Sequence, residues 1–365
     1  MNVHVPLDVA GAWARTAPAR LQTRLAAALA GGLWAMCGSA HAELVKPVDF
    51  MHKDWALQCD NTRTCRAVGY QDEAGGSAPV SIKLTRTAGP STPVDVELRL
   101  ENELPIPASL RLMAGKATIT GLTADGTLPV DSTLTAAQAR AVLLQGTQAQ
   151  VRGASNQTWT LSLAGLNAVL LKMDEVQGRL GTPGALIRPG TRPETAVLPP
   201  VPAPEVRAVK PVPTRPSDAA LVRPIFALVD QAAVKDTCNQ VDLAQLQVLR
   251  LTASKVLLSL PCGMGAYNSG ALLWIANDRP PYTPSLQATD GEFDANTGSV
   301  QSAMKVRGLG DCWWTKTWQF DGLGFTLSSE SGDSMCRGFA GGAWQLPVFV
   351  SRSVTAPAAT PFRNP

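Results

Sequence analysis

Histidine is nearly absent from this chain: 365 residues contain three, His4, His41 and His52. Ser–His–Asp and Cys–His hydrolysis need an imidazole to take the nucleophile's proton. Two of the three lie in the first 42 residues, read below as a removable leader, so such an enzyme would hang on His52 alone. Charge is scarce too, at 17% against a usual ~25%. A net charge of +3 is small for the basic footprint of a nucleic-acid binder. No apolar run reaches the ~20 residues of a membrane-spanning helix. P-loop and Rossmann glycine patterns are missing. Asp294, Asn296 and Gly298 begin like a calcium loop, but its twelfth position is Lys305 rather than Glu. No C-x-x-C pair occurs, so neither a metal nor a cofactor is expected. An apolar fraction of 45% excludes disorder along the whole chain.

The N-terminus reads as a secretory leader. Arg15, Arg20 and Arg24 precede a charge-free run from Leu25 to Met36, and Ala40 and Ala42 form an A-x-A site. A run this short, followed by small residues, marks a removed signal rather than a span. Cleavage is expected after Ala42, leaving a periplasmic or secreted protein. Cys37 supports a rival reading as a lipidated first residue, but Trp34 and Met36 stand where small or aliphatic residues are expected. Loss of residues 1–42 removes three basic residues, Asp8, two histidines and Cys37, and leaves 29 basic and 28 acidic residues.

Six cysteines then remain: Cys59, Cys65, Cys238, Cys262, Cys312 and Cys336. An even number behind a secretion signal reads as disulfides. Six cysteines allow fifteen connectivities. Proximity favours Cys59–Cys65, Cys238–Cys262 and Cys312–Cys336.

Two domains are expected, α+β and then mainly β. Residues 188–217 carry nine prolines. Proline removes amide donors and fixes φ, so this stretch reads as a stiff, extended linker. Its five basic and two acidic residues suit a solvated spacer or a strip touching anionic polymers. In the N-terminal domain, 43–187, Val94, Val96, Leu98 and Leu100 alternate with charges, as half-buried strands do. A capping box at Thr135 and Gln138 starts one helix. A second is expected over about 164–178, with Ser162 as N-cap. In the C-terminal domain, 218–352, a hairpin turns at Asp321-Gly322, and reversals fall at Asp294–Gly298 and Gly332-Asp333. A weaker helix signal covers 219–240. Residues 353–365 read as a flexible tail.

Several groups are candidates for chemistry or contact. Ser302 and Lys305 match S-x-x-K, but the companion motifs of serine–lysine enzymes are missing. Asp174 and Glu175 end the second helix, where Glu175 and Arg179 can pair at i,i+4. These acids, with Asp311, are the candidates for carboxylate chemistry. Asp60, Asn61, Thr62, Arg63 and Thr64 form the loop closed by the first disulfide, read either as a rigid polar display suited to protein recognition or as a plain polar turn. Alternation along Cys312–Phe320 puts Trp313 with Thr315, Thr317 and Gln319, away from Trp314 and Trp318. Trp313 reads either as core or rim packing or as a platform for a sugar or apolar partner.

Three segments together resemble a known set. These are Trp55-x-x-x-Cys59 through Cys65-Arg66-Ala67, then Ser162-Leu163-Ala164-Gly165 with Met173-Asp174-Glu175-x-Gln177-Gly178-Arg179-x-Gly181-Thr182, and then Arg307–Cys312 with Cys336-Arg337-Gly338. The chain resembles the secreted bacterial family known as domain of unknown function 1176, over nearly all of its mature length. Its first half is more faintly similar to the invasion-associated locus B family. The resemblance implies a periplasmic or secreted location and carries over no catalytic residue. The reading is a non-enzymatic binding or interaction protein of the cell envelope, with an envelope protein or glycan as partner. An inhibitor of a secreted hydrolase is its sharper form, and a carboxylate-dependent glycan hydrolase is the alternative.

Overall fold

The computed structural model describes residues 45–355 except 75, 77, 102–109, 123–131, 154–156, 242 and 265. The expected leader, Cys37 and the last ten residues lie outside them. The described residues fall in one compact unit, and the chain is mainly β.

The first half holds strands β1 (Val48–His52), β2 (Trp55–Cys59), β3 (Cys65–Tyr70), β4 (Val80–Arg86), β5 (Val94–Leu100), β6 (Leu110–Ala114), β7 (Ala117–Leu122), β8 (Ser132–Leu134), β9 (Gln148–Gly153) and β10 (Thr158–Ser162). They form a six-stranded sheet, β1-β2-β3-β4-β5-β8, and a four-stranded one, β10-β9-β6-β7. The alternation in β5 sets its register: Val96, Leu98 and Leu100 sit opposite Leu84, Ile82 and Val80, all buried.

Helix α1 (Ala136–Leu143) has the expected capping box. Helix α2 (Leu166–Val176) buries Leu166, Val169, Leu170 and Met173 in the same core. Its N-cap is Gly165 at φ 101°, not Ser162. The Ser162 hydroxyl accepts from the Ala164 amide one turn earlier. A Cβ at Gly165 would overlap the His52 carbonyl oxygen, so only glycine lets the helix start against the β1–β2 turn.

The second half is a nine-stranded antiparallel sheet. After β11 (Glu205–Ala208) come β12 (Gln240–Val241), β13 (Gln247–Arg250), β14 (Lys255–Met264), β15 (Asn268–Asn277), β16 (Ser285–Asp294), β17 (Ser299–Lys305), β18 (Trp313–Phe320), β19 (Phe325–Gly332) and β20 (Leu346–Val350). From β14 to β20 each strand pairs with the next. Strands β14 and β15 are apolar without alternation because both faces are covered. Val256, Leu258, Leu272 and Trp274 pack toward Ile225 and Val234, while Leu257, Leu273 and Ile275 pack toward Val300 and Phe320. The helix expected over 219–240 is broken into α3 (Val222–Phe226) and α4 (Gln231–Thr237). Asp230 interrupts it by capping the amides of Ala232 and Ala233. The hairpin turns at the expected place but spans Asp321–Gly324, because one Asp321 carboxylate oxygen holds the amides of Leu323 and Gly324. All three proximal disulfides are present.

The proline-rich segment 188–217 is a strap rather than a free spacer. Prolines remove donors only at their own positions, and the residues between them bond outward. Leu198 donates to Gln177, Val201 to Thr62, Val209 to Phe320 and Val212 to Leu251, while Val197, Val206 and Pro211 are buried. Its strand β11 pairs in parallel with β21 (Arg352–Thr355), so the expected tail begins as a strand. The strap ends on a buried ion pair. Arg250 Nε donates to Asp218 at 2.8 Å, and Arg250 also reaches Asp278.

Hydrogen bonds from Arg250 and the Arg215 amide outweigh burial and hold the Asp218 carboxyl below the usual carboxylate range. A depressed folded-state value contributes stability above about pH 4 that is lost as pH falls through the folded value. We expect the urea midpoint of the wild type to drop between pH 5 and pH 3. The Asp218→Asn variant should start lower and fall less over the same range. Parallel pH profiles for the two proteins would refute this assignment.

Candidate functional site

Beyond β15 the sheet becomes polar on one face. Cross-strand register builds it in rows. Glu292, Gln301, Thr317 and Ser329 are successive partners across β16–β19. Ala303, Thr315 and Ser331 form the next row, and Lys305 with Trp313 the third. Rows two residues apart lie about 6.8 Å from each other along the strands. These residues line a cleft of about 590 Å³, with Asp290, Asn268 and Tyr267 around its edge.

The lining is dense in hydroxyls and carboxylates, and its cross-links are short. Thr315 and Ser331 hydroxyls lie 2.8 Å apart, and the Ser302 hydroxyl donates to Asp290 at 2.7 Å. Ser302 of the S-x-x-K match is therefore buried and bound to a carboxylate. The Lys305 ammonium lies 5.4 Å from the Trp313 ring centroid. Trp313 is half-buried, on the polar face as its alternation predicts. Its indole N–H donates to the Gly310 carbonyl at 3.0 Å, which fixes the ring.

The cleft is tied to the first half through Asp333. Its carboxylate accepts from the amides of Trp313 and Trp344, and the Trp344 indole N–H donates to Ser81 on β4. Burial pushes the Asp333 carboxyl up, against the pull of those amides. The contact between halves is completed by Phe339 and Leu346 against Val68 and Tyr70, and by Arg337, which ion-pairs with Asp54 at 3.1 Å and exchanges hydrogen bonds with Gln71.

The other sequence candidates are not brought to this cleft. The first two residues of the Asp60–Thr64 loop face inward. Asp60 and Asn61 are buried, and the Asn61 carboxamide bonds Val350 in both directions. Arg63 reaches the Pro199 carbonyl, and Thr62 bonds Asp60. Thr62, Arg63 and Thr64 remain half-exposed, so the outward part of the loop is limited to these three.

Asp174 is fully buried. Its Oδ2 accepts from the amides of Leu186 and Ile187 at 2.7 and 2.9 Å, and its Oδ1 lies 3.7 Å from Arg86. Burial pushes its carboxyl up, against those amides and the pull of Arg86 and Arg179. Burial, then the neighbouring Arg179, push Arg86 down to about 10. Glu175 pairs with Lys172 instead of Arg179, because Arg179 turns inward to Gln177, Thr87 and Gly89. Asp311 is held by Arg307 and the Gly338 amide. It lies against Cys312 and Cys336 in a metal-like group, but their sulfurs are joined to each other. His52 is exposed on β1. Sequence reading placed Thr315 and Thr317 beside Trp313 but missed Asp290, Glu292 and the β19 serines Ser329 and Ser331. The alternation Trp313, Thr315, Thr317 was the available signal.

Among the described residues no helix is long and apolar enough to cross a membrane. Three disulfides fit an oxidising, extracytoplasmic compartment. The family model described as "Protein of unknown function (DUF1176)" matches residues 49–351. The chain is 29% identical over 332 residues to "Uncharacterized protein YpfG" of Escherichia coli (strain K12), covering 82% of this chain and 92% of that protein. No solved structure matches it. The matched span takes in the α2 start, the Asp174 cluster and the junction between halves, and the chain belongs to the DUF1176 family.

Proposed function

We propose that this protein is a non-enzymatic binding protein of the cell envelope, exported by the leader 1–42 with cleavage after Ala42, and that the polar cleft is its ligand seat. The cleft carries the reading. It is wide and open, and an aromatic ring stands at one end of rows of hydroxyls, a carboxamide and carboxylates. Sugars match that chemistry. Their C–H faces stack on indole rings, and their hydroxyls exchange hydrogen bonds with Ser, Thr, Gln, Asp and Glu. A glycan is therefore the favoured partner over a protein.

Titration of the purified protein with chito-oligosaccharides and peptidoglycan fragments tests this by calorimetry. Binding is expected, and Trp313→Ala should weaken it roughly tenfold or more while leaving the melting temperature close to that of the wild type. Binding that survives Trp313→Ala unchanged would move the ligand elsewhere. Mass spectrometry of the incubated fragments covers the hydrolase alternative. New shorter products would overturn the non-enzymatic reading, and Asp290 and Glu292 would then be the carboxylates to replace.

A further inference from the structure

We infer that the Trp313 end of the cleft selects a sugar bearing a free carboxylate, with Lys305 as the group that meets it. This rests on the glycan reading above. Lys305 and Trp313 are direct partners across β17 and β18. The backbone of Lys305 is clamped by the Asn268 carboxamide, which accepts from its N–H at 2.9 Å and donates to its carbonyl at 3.1 Å. Its side chain runs past Gly310, with Cδ and Cε at van der Waals distance from where a Cβ would stand. The stem is thus placed while the ammonium stays at the half-exposed mouth.

The cleft's lining carries two carboxylates and two ammonium groups, and the Asp290 carboxylate is occupied by the Ser302 hydroxyl at 2.7 Å. The cleft's other cation, Lys316, is already paired with Glu330 at 3.3 Å. Among the described residues Lys305 has no carboxylate partner, and its ammonium rests on the Trp313 ring instead. Glu292 lies in the row of Gln301, four residues or about 14 Å along the strand from Lys305. An anionic group entering the cleft is repelled at the Glu292 end and attracted at the Trp313 end. Turning the ammonium from a ring face to a carboxylate breaks no ion pair, and the charge-assisted hydrogen bond it forms is the stronger contact. Neutral hydroxyls of the neighbouring sugars fall to Glu292, Gln301 and Thr317, whose groups accept and donate without needing an opposite charge.

The probes are trigalacturonic acid, its methyl ester, neutral chitotriose, and peptide-free peptidoglycan strands, whose lactyl carboxylates are free. Calorimetry at low salt is expected to give roughly tenfold tighter binding of the acid than of its ester, with a preference that shrinks as salt is added. Lys305→Met should abolish the preference by bringing the acid's affinity down to that of the ester, and Lys305→Arg should keep it. Whichever of the uronate and the peptidoglycan strand binds more tightly identifies the source of the carboxylate. Equal affinity for acid and ester in the wild type, or a preference that persists in Lys305→Met, overturns the inference. Chitotriose binding as tightly as the acid leaves the glycan reading standing and removes this one, whereas no binding of any probe removes both.

Discussion

Asp174→Ala is expected to destabilise the protein by roughly 3–5 kcal/mol, the usual cost of removing one partner from a buried ion pair. Two losses combine. The amides of Leu186 and Ile187 lose their acceptor, and the fully buried Arg86 and Arg179 lose a counter-charge that favours both guanidinium ions. Glu194 is the other carboxylate acting on both guanidinium groups, and it is already held by the amides of Gly184 and Ser91. Against a total stability of about 5–15 kcal/mol, this loss should show as a large drop in the urea midpoint. The neighbouring Glu175→Ala is the control. Glu175 is exposed and its carboxylate is bonded to Lys172 alone among the described residues, so its removal should change stability by no more than about 0.5 kcal/mol. Asp174→Asn should fall between the two, since its amide oxygen still accepts while its charge is gone. A stable Asp174→Ala protein would return this residue to the list of chemical candidates.

The parts of this fold that were legible in the sequence are those governed by local rules. The alternation of Val94–Leu100, the Thr135–Gln138 box and the reversals at Asp294–Gly298 depend on neighbours a few residues away. The three disulfides also followed proximity along the chain. Long-range arrangement was not legible. The proline count of 188–217 is a true local signal of extended backbone, but it does not say whether the extended chain runs through water or along a sheet edge. That is decided by carbonyls at Thr62, Gln177, Leu251 and Phe320, which are distant in sequence.

The same limit shaped the reading of the site. Asp60–Thr64 looked like a display because its residues are polar and its loop is closed. Whether a polar loop meets solvent depends on what else needs its hydrogen bonds, and Asn61 meets Val350, 289 residues away. Asp174 and Glu175 are neighbours in sequence with opposite fates, because α2 points one into the core and the other out. Trp313 was the exception. Strand alternation alone separated it from Trp314, whose indole N–H donates to Glu330 and whose ring overlaps the space a Cβ would take at Gly332. The acids Asp290 and Glu292 were invisible because β16 shows no clean alternation around them, and only pairing with β17 brings Glu292 into the same cleft as that ring.

Gly165→Ala should cost roughly 3–5 kcal/mol, combining backbone strain with a steric clash. At φ 101° an L residue is strained wherever it stands, and here the added Cβ would overlap the backbone oxygen of His52. Backbone cannot rotate aside as a side chain can. Relief would require the β1–β2 turn and the start of α2 to separate, breaking the hydrogen bond from the Asp54 amide to the Ala164 carbonyl. It would also disturb Trp55, whose indole N–H donates to the Ser162 carbonyl at 2.8 Å and whose ring fills the space beside Gly69. The comparison is Gly146→Ala. Gly146 has a similar φ of 81° but nothing within 4 Å of the added carbon, so it should carry only the strain, about 1–2 kcal/mol. The difference between the two midpoints isolates the contact from the strain. Equal losses would mean that helix and turn separate freely, and that the Ser162–Gly165 motif serves backbone conformation alone.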